Sequence, residues 1–416
     1  MFVNNINLKY AYMRKRNFFY ILCIAISAMY LTACKKNISD NIIQPVPESA
    51  TPVITSIFPS IAYGGDTITA HGKNLSADIS HIEMRVNNKA ARIISAAADS
   101  IRALVPFNAG SGAVEVSING VNYDGPQFSY TRKVIVTTIA GTGNIGTADG
   151  PGLSASFYCP WGITADLNGD LFIADCYNRL IRKFSASDSS VSTYSIPTLL
   201  NGKYFYSPNN IALDVATHNL YVTDFNRHVM RMTPSGNATV IYEDSMALAG
   251  IAVSPDGKNL FISNNTLGTI VKMNIDGSNA SIFTTGLVTP RNIIFDNSGQ
   301  MYVASYPSSV YAIAANGKAT PSANDPSFQG WEIAKDTSGN FYLADHFSNV
   351  IRMIDSKGNV SVIAGSGAAS DIDGIGLQAS FNGPQGLTID SHGNLYVTTY
   401  NYQTNGGNKV RKITFE

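Results

Sequence analysis

Aromatic, amide and basic side chains recur at the ends of the apolar stretches within residues 134–416 of this 416-residue chain. Flat rings stack on the apolar faces of sugars and peptides, while amide and guanidinium groups hydrogen-bond to their polar atoms. The candidate ligand-binding residues are Trp161, Tyr177, Asn210, Phe225, Arg291, Asn292, Tyr306, Trp331, His346, Tyr400 and Tyr402, and a wider set adds Tyr158, Asn209, Phe347 and Gln385. Any single ring could instead fill a gap between strands. The cluster as a whole favours a binding surface.

Catalytic and metal-binding chemistry has weaker support. The chain has six histidines, but only His228 and His346 fall in the segments that carry the candidate site. Two histidines cannot form a three-histidine zinc site, and the sequence lacks the spacing of a serine nucleophile elbow. We therefore predict no catalytic residue, no metal ligand and no cofactor. A carboxylate site using Asp175, Asp224 and Asp345 remains an alternative, although such side chains more commonly accept backbone N–H bonds.

Charge and composition exclude other classes of protein. The 29 Lys and Arg balance 29 Asp and Glu, which gives a formal net charge of 0 and a pI of about 7.0. A nucleic-acid binder needs excess basic residues to replace the counterions of phosphates, so no nucleic-acid partner is expected. Only 14% of residues are charged, and there are 35 Gly and 21 Tyr. This composition favours strands joined by tight turns over a disordered chain.

The first segment has the features of an export signal. A basic stretch at 13–16 precedes an apolar run at 18–31, which is too short to span a membrane as a helix. The following Leu-Thr-Ala-Cys, ending at Cys34, resembles a bacterial lipobox. The resemblance implies that residues 1–33 are a lipoprotein signal peptide, with Met13 as the true start. An ordinary signal peptide with an incidental cysteine is the alternative.

Residues 34–51 are then predicted to be the lipidated Cys34 and a flexible tether, so the membrane is a partner through the lipid anchor. Lys35, rather than an aspartate, follows the cysteine. By the family pattern, this favours the outer membrane over retention at the inner membrane. The periplasmic and the surface-exposed leaflets both remain open.

The remaining cysteines are compatible with an oxidising envelope. Cys23 leaves with the signal peptide and Cys34 is lipidated, so Cys159 and Cys176 are left in the mature chain. Pairing of the apolar segments around the turn at 167–170 brings these two cysteines to within one or two residues of each other. A disulfide between them is therefore feasible and would stabilise the fold by up to about 3 kcal/mol. Two free thiols are the alternative.

Short apolar runs with alternating polarity fill residues 52–131 and predict a small β-sandwich. The segments at 52–59, 64–75, 105–106 and 118–130 resemble an IPT/TIG domain. That resemblance implies an immunoglobulin-like fold that acts as a spacer or as a recognition module, and we favour the spacer.

The sequence repeats itself from residue 134 onward. An apolar strand with an aromatic second residue recurs six times, at 171–175, 220–224, 260–264, 301–305, 341–345 and 395–399. Units of 40 to 54 residues that each supply several strands are typical of β-propeller blades. In the following strands, basic residues alternate with apolar ones, which predicts that they face solvent. These residues are Arg182, Arg231, Lys272, Arg352 and Arg411.

The segments at 166–183 and 336–353 resemble the NHL repeat. We therefore predict an all-β chain with an immunoglobulin-like sandwich followed by a six-bladed β-propeller at 134–416. The strand at 134–140 has no preceding blade, so it should pair with the last strand and close the ring.

In such a ring, the loops that carry the candidate residues lie on one face. Lipoproteins of this domain pairing are similar to those of Bacteroidetes-type bacteria, which attach recognition modules to glycan-import systems. The leading hypothesis is therefore a non-catalytic cell-envelope lipoprotein that binds a glycan through one face of the propeller. The alternatives are a protein–protein interaction scaffold in the outer membrane, and a metal-dependent lyase or lactonase of propeller type.

Overall fold

The computed structural model describes residues 51–195, 206–307 and 309–416. The predicted signal peptide and Cys34 lie outside these described residues. Within them, no helix combines the length and apolar character needed to cross a membrane. Regular structure in this part of the chain is β-strand, apart from single 3₁₀ turns at Ile79–His81, Gly152–Ser154 and Gly376–Gln378. The predicted all-β class is confirmed.

The first eight strands fold around one hydrophobic core. They are β1 (Val53–Phe58), β2 (Ile61–Tyr63), β3 (Thr67–Lys73), β4 (Ile82–Val86), β5 (Lys89–Ala97), β6 (Ser100–Leu104), β7 (Gly112–Ile118) and β8 (Val121–Thr131). Their spatial order is β1-β3-β6-β5-β4-β7-β8-β2, with β2 and β8 parallel. Val114, Val116 and Ile118 of β7 all point into the core because alternate side chains of a strand share a face. The predicted immunoglobulin-like sandwich is confirmed.

The later strands form six further sheets, which are the blades of the propeller. The strand β9 (Val134–Ala140) precedes all of them in the chain. Blade 1 contains β10 (Gly150–Pro151), β11 (Pro160–Ala165), β12 (Leu171–Asp175), β13 (Leu180–Ser185) and β14 (Ser190–Ser195). Blade 2 contains β15 (Pro208–Leu213), β16 (Leu220–Asp224), β17 (His228–Met232) and β18 (Ala238–Glu243). Blade 3 contains β19 (Leu248–Val253), β20 (Asn259–Asn264), β21 (Thr269–Asn274) and β22 (Ser281–Thr284).

The second half of the ring has the same plan. Blade 4 contains β23 (Pro290–Phe295), β24 (Met301–Ser305), β25 (Ser309–Ile313) and β26 (Ala319–Asn324). Blade 5 contains β27 (Glu332–Lys335), β28 (Phe341–Asp345), β29 (Val350–Ile354) and β30 (Val360–Ala364). Blade 6 combines β9 with β31 (Gly374–Ile375), β32 (Pro384–Ile389), β33 (Leu395–Asn401) and β34 (Gly406–Phe415). The inner strands β11, β15, β19, β23, β27 and β32 pack in a closed circle, so the predicted six blades are confirmed.

Blade 6 joins the two ends of the propeller. β9 pairs with β34, where Val136 lies opposite Ile413 and Ala140 lies opposite Val410. Val136 is fully buried in a core that it shares with Ile413. This pairing leaves no open seam between the first and the last blade.

Glycine allows neighbouring inner strands to approach closely around the axis. A Cβ atom on Gly386 would lie 2.1 Å from the carbonyl oxygen of Trp161, so a larger residue cannot fit without a shift of the backbone. The Oγ1 of Thr398 donates a hydrogen bond to that same carbonyl oxygen at 2.6 Å. Gly250 has the same relation to Arg291, whose carbonyl oxygen would lie 2.2 Å from the added Cβ. The backbones of two candidate residues are thereby fixed to neighbouring blades.

The prediction that the basic strand residues face solvent is wrong for Arg182 and Arg411, which are both fully buried. The guanidinium of Arg411 donates to the carboxylates of Asp371 and Asp373 at 3.0 and 2.8 Å, and also to two backbone carbonyl oxygens. Arg182 makes the equivalent bonds in blade 1, including one to Asp175 at 3.0 Å. Long loops before β11 and β32 cover these arginines, and alternation along a strand cannot reveal such a cover. Each arginine satisfies backbone carbonyls of the loop above it.

Candidate functional site

Aromatic side chains meet at the face of the propeller where the inner strands begin. The rings of Trp161 and Trp331 stack with their centroids 5.2 Å apart and their planes 19° apart. His346 stacks on Trp331 at 5.0 Å and 18°. Phe225 contacts Trp161 edge-on at 5.3 Å, and Tyr402 lies 6.0 Å from the same ring. Residues from blades 1, 2, 5 and 6 therefore form one continuous aromatic group.

We term this group the aromatic funnel, defined by residues Tyr158, Trp161, Tyr177, Phe225, Trp331, His346, Phe347, Tyr400 and Tyr402. Its members differ in exposure. Trp161, His346 and Tyr400 are buried and form the floor. Exposure is 43% for Tyr177, 39% for Phe225, 57% for Phe347 and 38% for Tyr402. These four rings are the most exposed of the group, so their apolar surface can stack on a ligand.

The amide side chains of the candidate set lie below the aromatic rings and are buried. Asn209 donates from Nδ2 to the carbonyl oxygen of Leu248 at 3.0 Å, which links two inner strands. The Oδ1 of Asn292 accepts from the backbone N–H of Ile333 at 3.4 Å. The Nδ2 of Asn209 and the Oδ1 of Asn292 therefore link neighbouring inner strands of the ring.

Asn210 takes part in a contact that sequence reasoning missed. Its Nδ2 donates to Oε1 of Glu332 at 2.7 Å, and both residues are buried. Asn210 belongs to blade 2 and Glu332 to blade 5, which are separated by two blades in either direction around the ring. The hydrogen bond therefore crosses the axis. Burial raises the pKa of Glu332 well above its ordinary value, against the opposing effects of Asn210 and Arg291.

Arg291 lies beside this buried carboxyl and against the aromatic floor. Its guanidinium carbon is 5.4 Å from the ring centroid of Trp331. Its Nε is buried without a hydrogen-bond partner, and burial lowers the pKa of the side chain. Tyr306 follows β24 and is half-buried. Its charge interaction with Arg291 places it near the funnel, but among the described residues its ring is not paired with the aromatic group.

The aspartates at the ends of the second strands are engaged in structural bonds. Asp175 accepts the backbone N–H of Tyr158 at 2.8 Å, and Asp345 accepts that of Ser348 at 3.1 Å. Asp224 accepts three backbone N–H bonds and also bonds to Nδ1 of His228 at 3.0 Å. Within the described ranges, no group of three or more His, Cys, Asp or Glu side chains is arranged to hold a metal ion.

Cys159 and Cys176 lie under the funnel as buried free thiols. The N–H of Cys176 donates to the carbonyl oxygen of Cys159 at 3.2 Å. A bulge after Pro160 shifts the strand register, so the two cysteines lie closer to direct opposition than the sequence suggested. Burial, followed by the hydrogen bond that the Cys159 thiol donates to the sulfur of Cys176, raises the pKa of Cys159.

Mild oxidation of the folded protein is expected to join these two thiols, with loss of two hydrogen atoms to an added copper–phenanthroline oxidant. A mature chain made in an oxidising envelope should already contain the bond. Peptide mapping without reductant checks this. The oxidised protein should unfold at a higher temperature than the reduced protein, and its free energy of unfolding should be higher by up to about 3 kcal/mol. Quantitative alkylation of both cysteines after oxidation and unfolding would contradict the prediction.

Comparison with known families supports the architecture. Residues 52–130 match the family model of the IPT/TIG domain, and residues 157–184 match that of the NHL repeat. Residues 196–321 match a family described as lactonase, 7-bladed β-propeller, whereas the sheets of the described residues form six blades. The chain thus combines an IPT/TIG domain with a six-bladed propeller that contains an NHL repeat. A search of curated proteins found no match.

Several solved structures share the fold, each over 88% of this chain and 98% of its own length. One is a structural genomics protein of unknown function from Bacteroides thetaiotaomicron, with 21% identity and a TM-score of 0.60. An auxiliary nutrient binding protein from the same organism has 18% identity and a TM-score of 0.56. An auxiliary nutrient binding protein from Bacteroides ovatus has 17% identity and a TM-score of 0.55. At these identities, the likeness shows a common fold.

Proposed function

We propose that this protein is a non-catalytic lipoprotein of the outer membrane that binds a glycan in the aromatic funnel. The observation that carries the proposal is the continuous set of rings on one face, four of which expose between 38% and 57% of their surface. The apolar faces of sugar rings stack on such surfaces. The tyrosine hydroxyls at the mouth can hydrogen-bond to sugar hydroxyls.

Two further observations support the cellular part of the proposal. The lipobox-like sequence ending at Cys34 accounts for attachment to a membrane. Proteins with the same two-part fold from Bacteroides carry the description auxiliary nutrient binding protein. The three strand-end aspartates are already bonded within the fold, which argues against a catalytic carboxylate site.

Removing exposed rings tests the proposal. The full-length protein in detergent is first applied to a glycan array, and the polysaccharides that bind are measured by calorimetry. Phe225→Ala and Tyr402→Ala should each weaken binding by about tenfold or more, equivalent to about 1.4 kcal/mol. Phe58→Ala is the matched control, because this side chain is 72% exposed but belongs to the sandwich. Equal affinities for all three variants, or no bound glycan, would refute the proposal.

A protein-interaction scaffold is the second candidate function. Met246, Leu267, Val288 and Phe347 are exposed apolar residues in loops that enter inner strands or follow second strands, so they lie on the funnel face. An apolar rim of this kind is typical of protein contact surfaces. Loss of a crosslinked envelope partner in Met246→Ser and Val288→Ser, with Phe225→Ala unaffected, would favour this function.

A further inference from the structure

We propose that Arg291 makes the funnel selective for acidic glycans, in which a carboxylate or sulfate group accepts hydrogen bonds from its guanidinium. This inference rests on the proposed function, because it names the chemical class of ligand that the same site recognises. It starts from the unusual situation of this arginine among the basic residues of the propeller.

Three of the four other buried or half-buried arginines of the blades have carboxylate partners, and the exception is Arg231. Arg182 bonds to Asp175, Arg411 bonds to Asp371, and Arg352 lies 2.7 Å from Asp345. Arg291 has no ion pair among the described residues, and its Nε, like that of Arg182, Arg231 and Arg411, is buried without a hydrogen-bond partner. A guanidinium held partly out of water without a counter-ion is unfavourable, and an anion that pairs with it relieves this penalty.

One carboxyl interacts electrostatically with Arg291 but does not form an ion pair with it. Glu332 adjoins Trp331 in the chain and interacts with Arg291, but no ion pair forms between them. Instead, Glu332 is fully buried and accepts its hydrogen bond from Asn210 across the axis. Because Glu332 bonds to Asn210 instead, the guanidinium of Arg291 has no paired carboxylate among the described residues.

Two other buried polar atoms in the funnel also lack partners. They are Nδ1 of His346 and Oε1 of Gln385, whose residues are 7% and 1% exposed. His346 stacks on the same Trp331 ring that Arg291 contacts, and its pKa is lowered by burial, so the imidazole is neutral. Aromatic surface therefore lies beside the cation of Arg291, the neutral imidazole of His346 and the amide oxygen of Gln385. This combination suits a sugar with one anionic group and several hydroxyls. The planar guanidinium can hold a carboxylate or sulfate through two hydrogen bonds.

The experiment uses ligands that differ in charge alone. Calorimetry with the full-length protein in detergent compares polygalacturonate with its fully methyl-esterified form, and chondroitin sulfate with chondroitin that has been both desulfated and carboxyl-reduced. We expect at least tenfold tighter binding of one acidic polymer than of its neutral counterpart. Arg291→Gln should remove this preference by weakening the binding of the acidic polymer to that of its neutral counterpart, while Arg291→Lys should keep part of it. Arg227→Gln is the control, because that exposed arginine also follows a second strand.

Each outcome has a defined meaning. Equal binding of acidic and neutral polymers, unaffected by Arg291→Gln, overturns the inference and leaves the glycan function standing. If no polysaccharide binds, the proposed function itself fails. Binding of polyglutamate without any polysaccharide shows that the anion belongs to a peptide and overturns the assignment to glycans. Unchanged thermal unfolding of Arg291→Gln establishes that a loss of preference does not come from misfolding.

Discussion

Replacing Arg411 with methionine is expected to lower the free energy of unfolding by about 3–5 kcal/mol, because it leaves a buried carboxylate without its cation. Arg411 is fully buried and bonds to Asp371, which is itself almost inaccessible, with 5% side-chain exposure. The same substitution also leaves two carbonyl oxygens of the covering loop without donors. The change is measured as the shift of the urea unfolding midpoint.

The neighbouring residue provides the control. Lys412 lies on the same strand and contacts only the ring of Tyr396, at 5.6 Å, so Lys412→Met should change the stability by about 0.5 kcal/mol or less. Arg411→Lys should fall between the two, because an ammonium cannot reproduce four bonds made in one plane. Equal midpoints for Arg411→Met and Lys412→Met would show that the buried ion pairs do not stabilise blade 6.

The second large effect is expected at the junction that closes the ring. Val136→Asp should destabilise the propeller by about 4 kcal/mol, since it places a carboxylate in the dry core shared with Ile413. Detachment of β9 from β34 would let this carboxylate reach water. Amide hydrogen exchange should therefore accelerate first in these two strands, before the other blades are affected.

Thr137→Asp is the matched control for this change, because the adjacent side chain points to solvent and lies opposite Lys412. It should leave both the unfolding midpoint and the exchange rates nearly unchanged. If Val136→Asp opened all blades at the same rate, the pairing of β9 with β34 would not be a separable closure.

Much of the fold could be predicted because the repeats record it directly. An aromatic residue recurs in the second strand of each blade. Because successive strands run in opposite directions, the loops that carry the funnel residues are assigned to one face. The burial of Arg182 and Arg411 could not be predicted in this way. Their strand pattern is that of an exposed face, and only the folded loops reveal that the face is covered. The longer step from Tyr342 to Tyr396 was the available signal for the loop before β32, whereas the loop before β11 precedes the first repeated strand.

The candidate site was only partly predictable. Residue types identified the rings, and the structure brings nine of them together. Residue types alone could not distinguish the buried rings of the funnel from the exposed ones, so the sequence predicts that Trp161 contacts the ligand directly. Glu332 gave no distinct signal, because a single acidic residue in an apolar strand does not reveal a partner 122 residues away. Its position immediately after Trp331 was the only hint.

The hydrogen bond between Asn210 and Glu332 has a consequence for the shape of whatever docks here. It closes the central channel of the propeller, since the two side chains extend from opposite sides and meet. A long polymer therefore cannot thread through the hole. It has to run across the mouth and leave on the side from which it came, so internal stretches of the polymer are as accessible to the protein as its ends.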